Sequence, residues 1–274
     1  MGRLPRILTY TALSIASCLV AFPVVWMLAM SVRANMEIFT LPPSVIPQQF
    51  ILDAYRQVFQ SPTYLRFFFN SYVVAMSVTG VSLVIAVFAG YGFSRFVFRG
   101  SRLMNLFIIG TQTIPSIVLL IPYFMAIVGF GLYDTYLGLI VTFTSFCLPY
   151  SILMMTGYFN TISKELDEAV MVDGGGRIFT LCRIILPVSL PGLVATGVYT
   201  FLMAWNEFLF ALTLTKSIGM RTIPVGISFL IGEQAYQWNI IMSVAILGSV
   251  PVLLMFLLLQ RYFVSGLTAG SVKG

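Results

Sequence analysis

A chain of 274 residues with a net charge of +6, 59% apolar and only 9% charged, holds more apolar surface than a soluble core can consume, because soluble domains carry about 25% charged residues. Its basic residues are scattered and form neither a face nor a run, which argues against nucleic acid as a partner. Three cysteines without paired spacing (Cys18, Cys147 and Cys182) and the lack of any histidine point away from a disulfide framework or a histidine-ligated metal.

The apolar residues arrive in long runs, matching the roughly 20 residues a helix needs to cross about 30 Å of hydrocarbon. In lipid every backbone amide must pair within its own helix or in a closed barrel. These runs are too long and too unalternating for barrel strands of about ten residues. The expected fold class is therefore all-α, a polytopic membrane protein with six transmembrane helices.

In chain order, a basic start leads into a first span at residues 8–30. Ile15-Ala16-Ser17-Cys18 weakly resembles a lipoprotein processing site, but residues 19–30 stay apolar, so an uncleaved span is the expectation. An outer loop, 31–67, is broken by Pro42, Pro43 and Pro47 and carries a short interfacial helix pattern at Ile51, Tyr55, Val58 and Phe59. Spans follow at 69–93 and 104–128. The latter contains Gln112, Thr113, Pro115 and Pro122, which predict a kink with loosened backbone and make Gln112 a candidate for the substrate pathway. A fourth span is placed at 137–157.

Residues 158–190 hold four of the nine carboxylates of the chain. Ser163 is placed to cap a short helix, Glu165 and Asp167 favour its positive end, and Gly174 suits the left-handed position that stops it. A second short helix carrying Ile178, Phe179, Leu181 and Cys182 should follow, with Pro187 and Pro191 opening the fifth span at 191–214. An amphipathic hairpin of this length exceeds what a connector needs and is expected to touch a partner.

The fifth span carries Trp205-Asn206-Glu207. A carboxylate in lipid is costly enough to mark function by default, and Asn206 offers sugar-type hydrogen bonds; a bond that merely holds helices together explains Glu207 equally well. Tyr123, Phe146 and Tyr150 are aromatic candidates for stacking on a sugar ring, or for plain packing. An outer loop, 215–240, precedes the sixth span at 241–262. An even number of spans puts both termini on one side. That side carries ten lysines and arginines against five opposite, so both termini are expected in the cytoplasm and the hairpin with them.

Within the hairpin, Glu168-Ala169-Val170, three residues, Gly174, nine residues and Ile184-Ile185-Leu186-Pro187 resemble the EAA loop of ABC importer permeases at every spacing, with Val170 in place of the usual alanine. Residues 266–274 are similar to the tail of carbohydrate-type permeases, the class that includes the smaller membrane subunit of the maltose transporter. The resemblance implies a type I importer fold working by alternating access in the cell membrane, a coupling helix seated in a cytoplasmic ATPase, and a sugar or sugar-like solute as substrate. It makes Glu168, Ala169, Asp173, Gly174, Ile178, Phe179, Ile184, Leu186 and Pro187 the coupling residues, with Ile178 and Phe179 as an apolar knob. Implied partners are a second homologous permease, two ATPase subunits that bind ATP and Mg, and an extracytoplasmic solute-binding protein toward which residues 215–240 reach. No cofactor is expected in this chain, and no enzymatic activity, because no Gly-Lys dipeptide exists to form a phosphate-cradling loop. An ion-coupled secondary transporter is the alternative; it would ordinarily show more buried titratable groups or an internal repeat.

Overall fold

A computed structural model describes residues 3–41, 46–233 and 237–269. Pro42 and Pro43 of the first outer loop, and residues 270–274 of the carbohydrate-type tail, Lys273 among them, lie outside the described residues.

The described residues form helices and connecting segments in the order α1 (Arg3–Ser31), α2 (Asn35–Ile38), α3 (Asp53–Gln60), α4 (Pro62–Arg95), α5 (Ser101–Thr113), α6 (Leu120–Gly129), α7 (Tyr136–Asn160), α8 (Glu165–Val172), α9 (Arg177–Thr180), α10 (Leu186–Val188), α11 (Leu190–Trp205), α12 (Leu209–Leu214), α13 (Ile223–Glu233) and α14 (Trp238–Ala269). Four helices are individually long and apolar enough to cross a bilayer: α1, α4, α7 and α14. Among the described residues two bent helix pairs are apolar enough to supply up to two further spans, α5 with the segment Ser116–Gly129 at 95°, and Arg177–Val188 with α11 at 80°. Large apolar side chains such as Leu19, Val20, Phe107 and Leu258 stand exposed on these helices, a surface that lipid tolerates and water does not.

The chain divides into two compact units. In the first, residues 1–65 and 225–251, α3 forms where the apolar spacing of that loop predicts a short helix, but it buries Ala54 and Val58 and leaves Phe59, expected on the packed face, outside. The Tyr55 hydroxyl meets Ser31 Oγ at 2.7 Å, and Ser243 Oγ donates to the Ser31 carbonyl at 3.3 Å.

The second unit, residues 66–224 and 252–274, is built on close helix contacts. A Cβ on Gly90 of α4 would lie 3.0 Å from Met155 Cβ of α7, so these backbones approach as near as a glycine permits. Between α7 and α11, Ser151 Oγ and Thr200 Oγ1 pair at 2.9 Å, and the rings of Tyr150 and Tyr199 stack at 3.9 Å. At one end of this unit Asn70 Nδ2 donates to the carbonyls of Gly219 and Arg221, both at 2.8 Å, and Ser71 Oγ accepts from the Ile223 amide at 2.8 Å.

Three sequence expectations change. The fifth span is not one helix over 191–214: it breaks between Trp205 and Leu209, where the Asn206 side chain turns back to the Leu202 carbonyl at 2.8 Å. The kink expected near Pro115 is a full break, because Pro115 has no amide to donate and forces Ile114 out of the helical region, to φ −81°, ψ 121°. Residues 223–233, expected as loop, form helix α13, with Pro224 in its first turn, where a missing amide costs nothing.

Candidate functional site

The two breaks meet. Unwound backbone is tolerated at membrane depth only when buried in protein or lining a cavity, and here a cavity of about 330 Å³ lies between the α5 break and the α11–α12 break. Thr111, Gln112 and Ser116 line it from one side, Glu207 and Phe210 from the other, and Phe146 of α7 closes it between them. Of the three candidate pathway residues, Gln112 and Glu207 are thus brought together. Asn206 is not among the lining residues; its amide is spent on its own helix.

Glu207 is held by the break that exposes it. One carboxylate oxygen accepts from the Phe210 amide at 3.0 Å and the other from the Ala211 amide at 2.9 Å, satisfying two of the orphan donors that start α12. The same residue lines the cavity, so its capping role does not remove it from that surface. Among the aromatic candidates, Phe146 reaches the cavity and packs on Phe210, with centroids 4.6 Å apart. Tyr123 supports both rings from behind, its hydroxyl 2.8 Å from Ser145 Oγ, while Tyr150 is occupied by Tyr199. The lining combines polar side chains with aromatic rings, a combination that suits hydroxyl-rich rings.

The second candidate site is the hairpin. α8 ends at Val172, Gly174 adopts φ +82° as the left-handed stop, and α9 begins after Gly176. Ser163 Oγ accepts from the Glu165 amide at 3.2 Å, one residue earlier than a standard cap. The second arm is more continuous than expected: α9 runs through a π-helical turn, Leu181–Ile185, into α10, and this turn buries Leu181 and Ile185. Glu168, Ala169, Asp173 and Gly174 are exposed, and Ile184 and Leu186 are half-buried. Ile178 is 71% exposed, Phe179 53% and Val172 86%, so an apolar knob stands in the open beside the turn. Pro187, exposed, sits in the first turn of α10.

Residues 82–268 match the family described as the binding-protein-dependent transport system inner membrane component. The chain belongs to this family.

This permease is 34% identical over 273 residues to the inner membrane ABC transporter permease protein YcjP of Escherichia coli strain K12, covering 99% of this chain and 98% of the relative. It is 36% identical over 277 residues to the trehalose/maltose transport system permease protein MalG of Thermococcus litoralis, covering 99% and 98%. Its fold matches a chain of a bacterial ABC transporter that imports the acidic polysaccharide alginate, with a TM-score of 0.85 at 21% identity over 96% of this chain and 99% of the other. The permease is accordingly a multi-pass inner-membrane subunit of an ABC importer, and an ion-coupled carrier is not the favoured reading.

One residue of the permease escaped sequence reasoning. Asp167 was expected only to favour the start of a helix, yet it is buried, 7% exposed, and faces Tyr91 and Arg95. Its signal was faint: a single acidic residue between Glu165 and Glu168, which the local pattern does not set apart from its exposed neighbours.

Proposed function

We propose that this permease imports a sugar or sugar-like solute by alternating access, driven by ATP that partner subunits hydrolyse. The observation that carries the coupling half is the exposed apolar knob of Val172, Ile178 and Phe179 on an otherwise charged hairpin. Water penalises such a surface unless a partner covers it, and the glycine turn beside it allows a close backbone approach. In this reading Glu168, Ala169, Asp173 and Gly174 fix the register of the knob in an ATPase cleft. Ile184, Leu186 and Pro187 join the hairpin to the membrane bundle.

The cavity supports the substrate half. Gln112 and Glu207 face one another's side of it and Phe146 supplies a ring face, while the MalG relative is named for trehalose and maltose and the fold neighbour for alginate. The assembly comprises this chain, a second permease, two ATPase subunits holding ATP and Mg, and an external binding protein, with both termini of this chain in the cytoplasm.

The test is co-purification with uptake. Phe179→Glu and Gly174→Asp should leave the chain inserted while reducing the ATPase recovered with it and uptake of labelled saccharide by more than about tenfold, since charging a hot-spot pocket costs at least 2 kcal/mol or so. Full uptake by both variants would overturn the reading.

A further inference from the structure

Of the four carboxylates in the hairpin, Glu165, Glu168 and Asp173 face outward and Asp167 does not. Its Oδ1 accepts a hydrogen bond from the Tyr91 hydroxyl, and its Oδ2 lies 2.9 Å from Arg95 Nε, both groups at the cytoplasmic end of α4. The contact at Arg95 Nε is an ion pair without a hydrogen bond, between side chains that are both almost wholly buried. The rest of the Arg95 fork is engaged as well: Nη1 donates to the Phe159 carbonyl at 3.0 Å and Nη2 to the Ile162 carbonyl at 3.2 Å. One guanidinium therefore ties together the end of α4, the end of α7 and the first arm of the hairpin. The neighbouring Arg177 of the second arm lies over the Phe96 ring, 4.5 Å from its centroid.

We propose that Tyr91, Arg95 and Asp167 form a latch that carries movement of the hairpin directly into α4 and α7. They are positioning residues for coupling, and the proposal rests on the reading of the hairpin as the ATPase-docking element. The covalent route from the first arm is compliant: it passes through three consecutive glycines, 174–176, and a π-helical turn before it reaches α11. The latch is short, charge-assisted and dry, and a planar guanidinium that serves an ion pair and two carbonyls resists both sliding and rotation. Force that reaches the first arm thus passes to α4 and α7, and through α7 to the Phe146 wall of the cavity, without travelling the glycine turn to α11.

The experiment uses the complete importer in proteoliposomes, with uptake and ATP hydrolysis measured on the same vesicles. Asp167→Asn keeps the acceptor facing Tyr91 and removes the charge facing Arg95. The expected result is an assembled complex that still hydrolyses ATP but moves at least about fivefold less solute per ATP, the size of a modest coupling free energy. An unchanged ratio, or transport and hydrolysis falling in proportion, overturns the latch. Should Asp167→Asn fail to assemble, the pair Tyr91→Cys with Asp167→Cys, in a chain also carrying Cys18→Ser and Cys182→Ser, decides the matter. Closing these thiols with a short bifunctional reagent should raise the solute moved per ATP, and no recovery on closure overturns the proposal. An unaltered chain that brings down no ATPase would instead sink the reading of the hairpin, separately from the latch.

Discussion

Glu207 shows how one side chain can serve two ends. Its carboxylate satisfies the amides of Phe210 and Ala211, and the residue lines the cavity opposite Gln112. Glu207→Gln keeps one of the two acceptors of the cap, so it should lose less stability than the alanine variant while raising the KM for uptake by about two- to tenfold, the value of one altered hydrogen bond. Glu207→Ala removes the cap as well and should lower the unfolding midpoint in detergent by about 2–4 °C for the roughly 1 kcal/mol a cap supplies. Asp134 is a second such residue, in the segment between α6 and α7 at φ +60°, where its Oδ1 accepts from the Lys216 amide at 2.8 Å and from the Ser217 amide at 3.1 Å. Partial burial opposes its charged form, but those amides, the Ser217 hydroxyl and the nearby Lys216 charge prevail and hold its carboxyl below the usual carboxylate range. A depressed acid stabilises the fold above the ordinary carboxylate pKa and loses that contribution as pH falls through the depressed value. The difference in unfolding midpoint between the natural chain and Asp134→Asn should therefore be constant near neutrality and vanish in strong acid. A difference that grew on acidification would contradict the assigned sign.

At the scale of elements, glycine and proline decide where helices touch and where they stop. Gly192 of α11 packs on Tyr158 of α7 so closely that a Cβ would fall 2.3 Å from the ring carbon Cγ, whereas Gly157, in α7 itself, has no atom within 4 Å of such a Cβ. Gly192→Ala should cost about 1–3 kcal/mol through overpacking. Gly157→Ala should be neutral or slightly stabilising through helix propensity. Thermal unfolding of the two variants in one detergent checks the contrast, and equal midpoints would refute the packing argument. The hairpin is the element whose local chemistry was most legible beforehand: its two short helices and the left-handed Gly174 stand where local rules put them, although Asp167 is buried and not at the exposed start of its helix. The breaks in the third and fifth spans were less legible. Pro115 announced the first, but a 95° bend in place of a kink depends on what the freed backbone can line. No proline or glycine marks the second, between Trp205 and Leu209, where the Glu207 carboxylate takes over the amides that a continuing helix would have satisfied.

For the whole molecule, membrane orientation has a direct consequence in intact cells. Cys182 is exposed on the hairpin, and Ser217 lies on the segment held by Asp134. With both termini in the cytoplasm, an impermeant thiol reagent should label Ser217→Cys in whole cells and reach Cys182 only after the membrane is opened; labelling of Cys182 in sealed cells would reverse the topology. Membrane residence, helical class, the hairpin and its family pattern were determined by the sequence alone, because each depends on composition or on residues within a few turns of one another. The meeting of Gln112 with Glu207, and of Asp167 with Tyr91 and Arg95, was decided only by tertiary structure. These groups lie 95 and more than 70 positions apart in the chain, and local propensity carries no information about which distant helix faces will share one cavity or bury one ion pair.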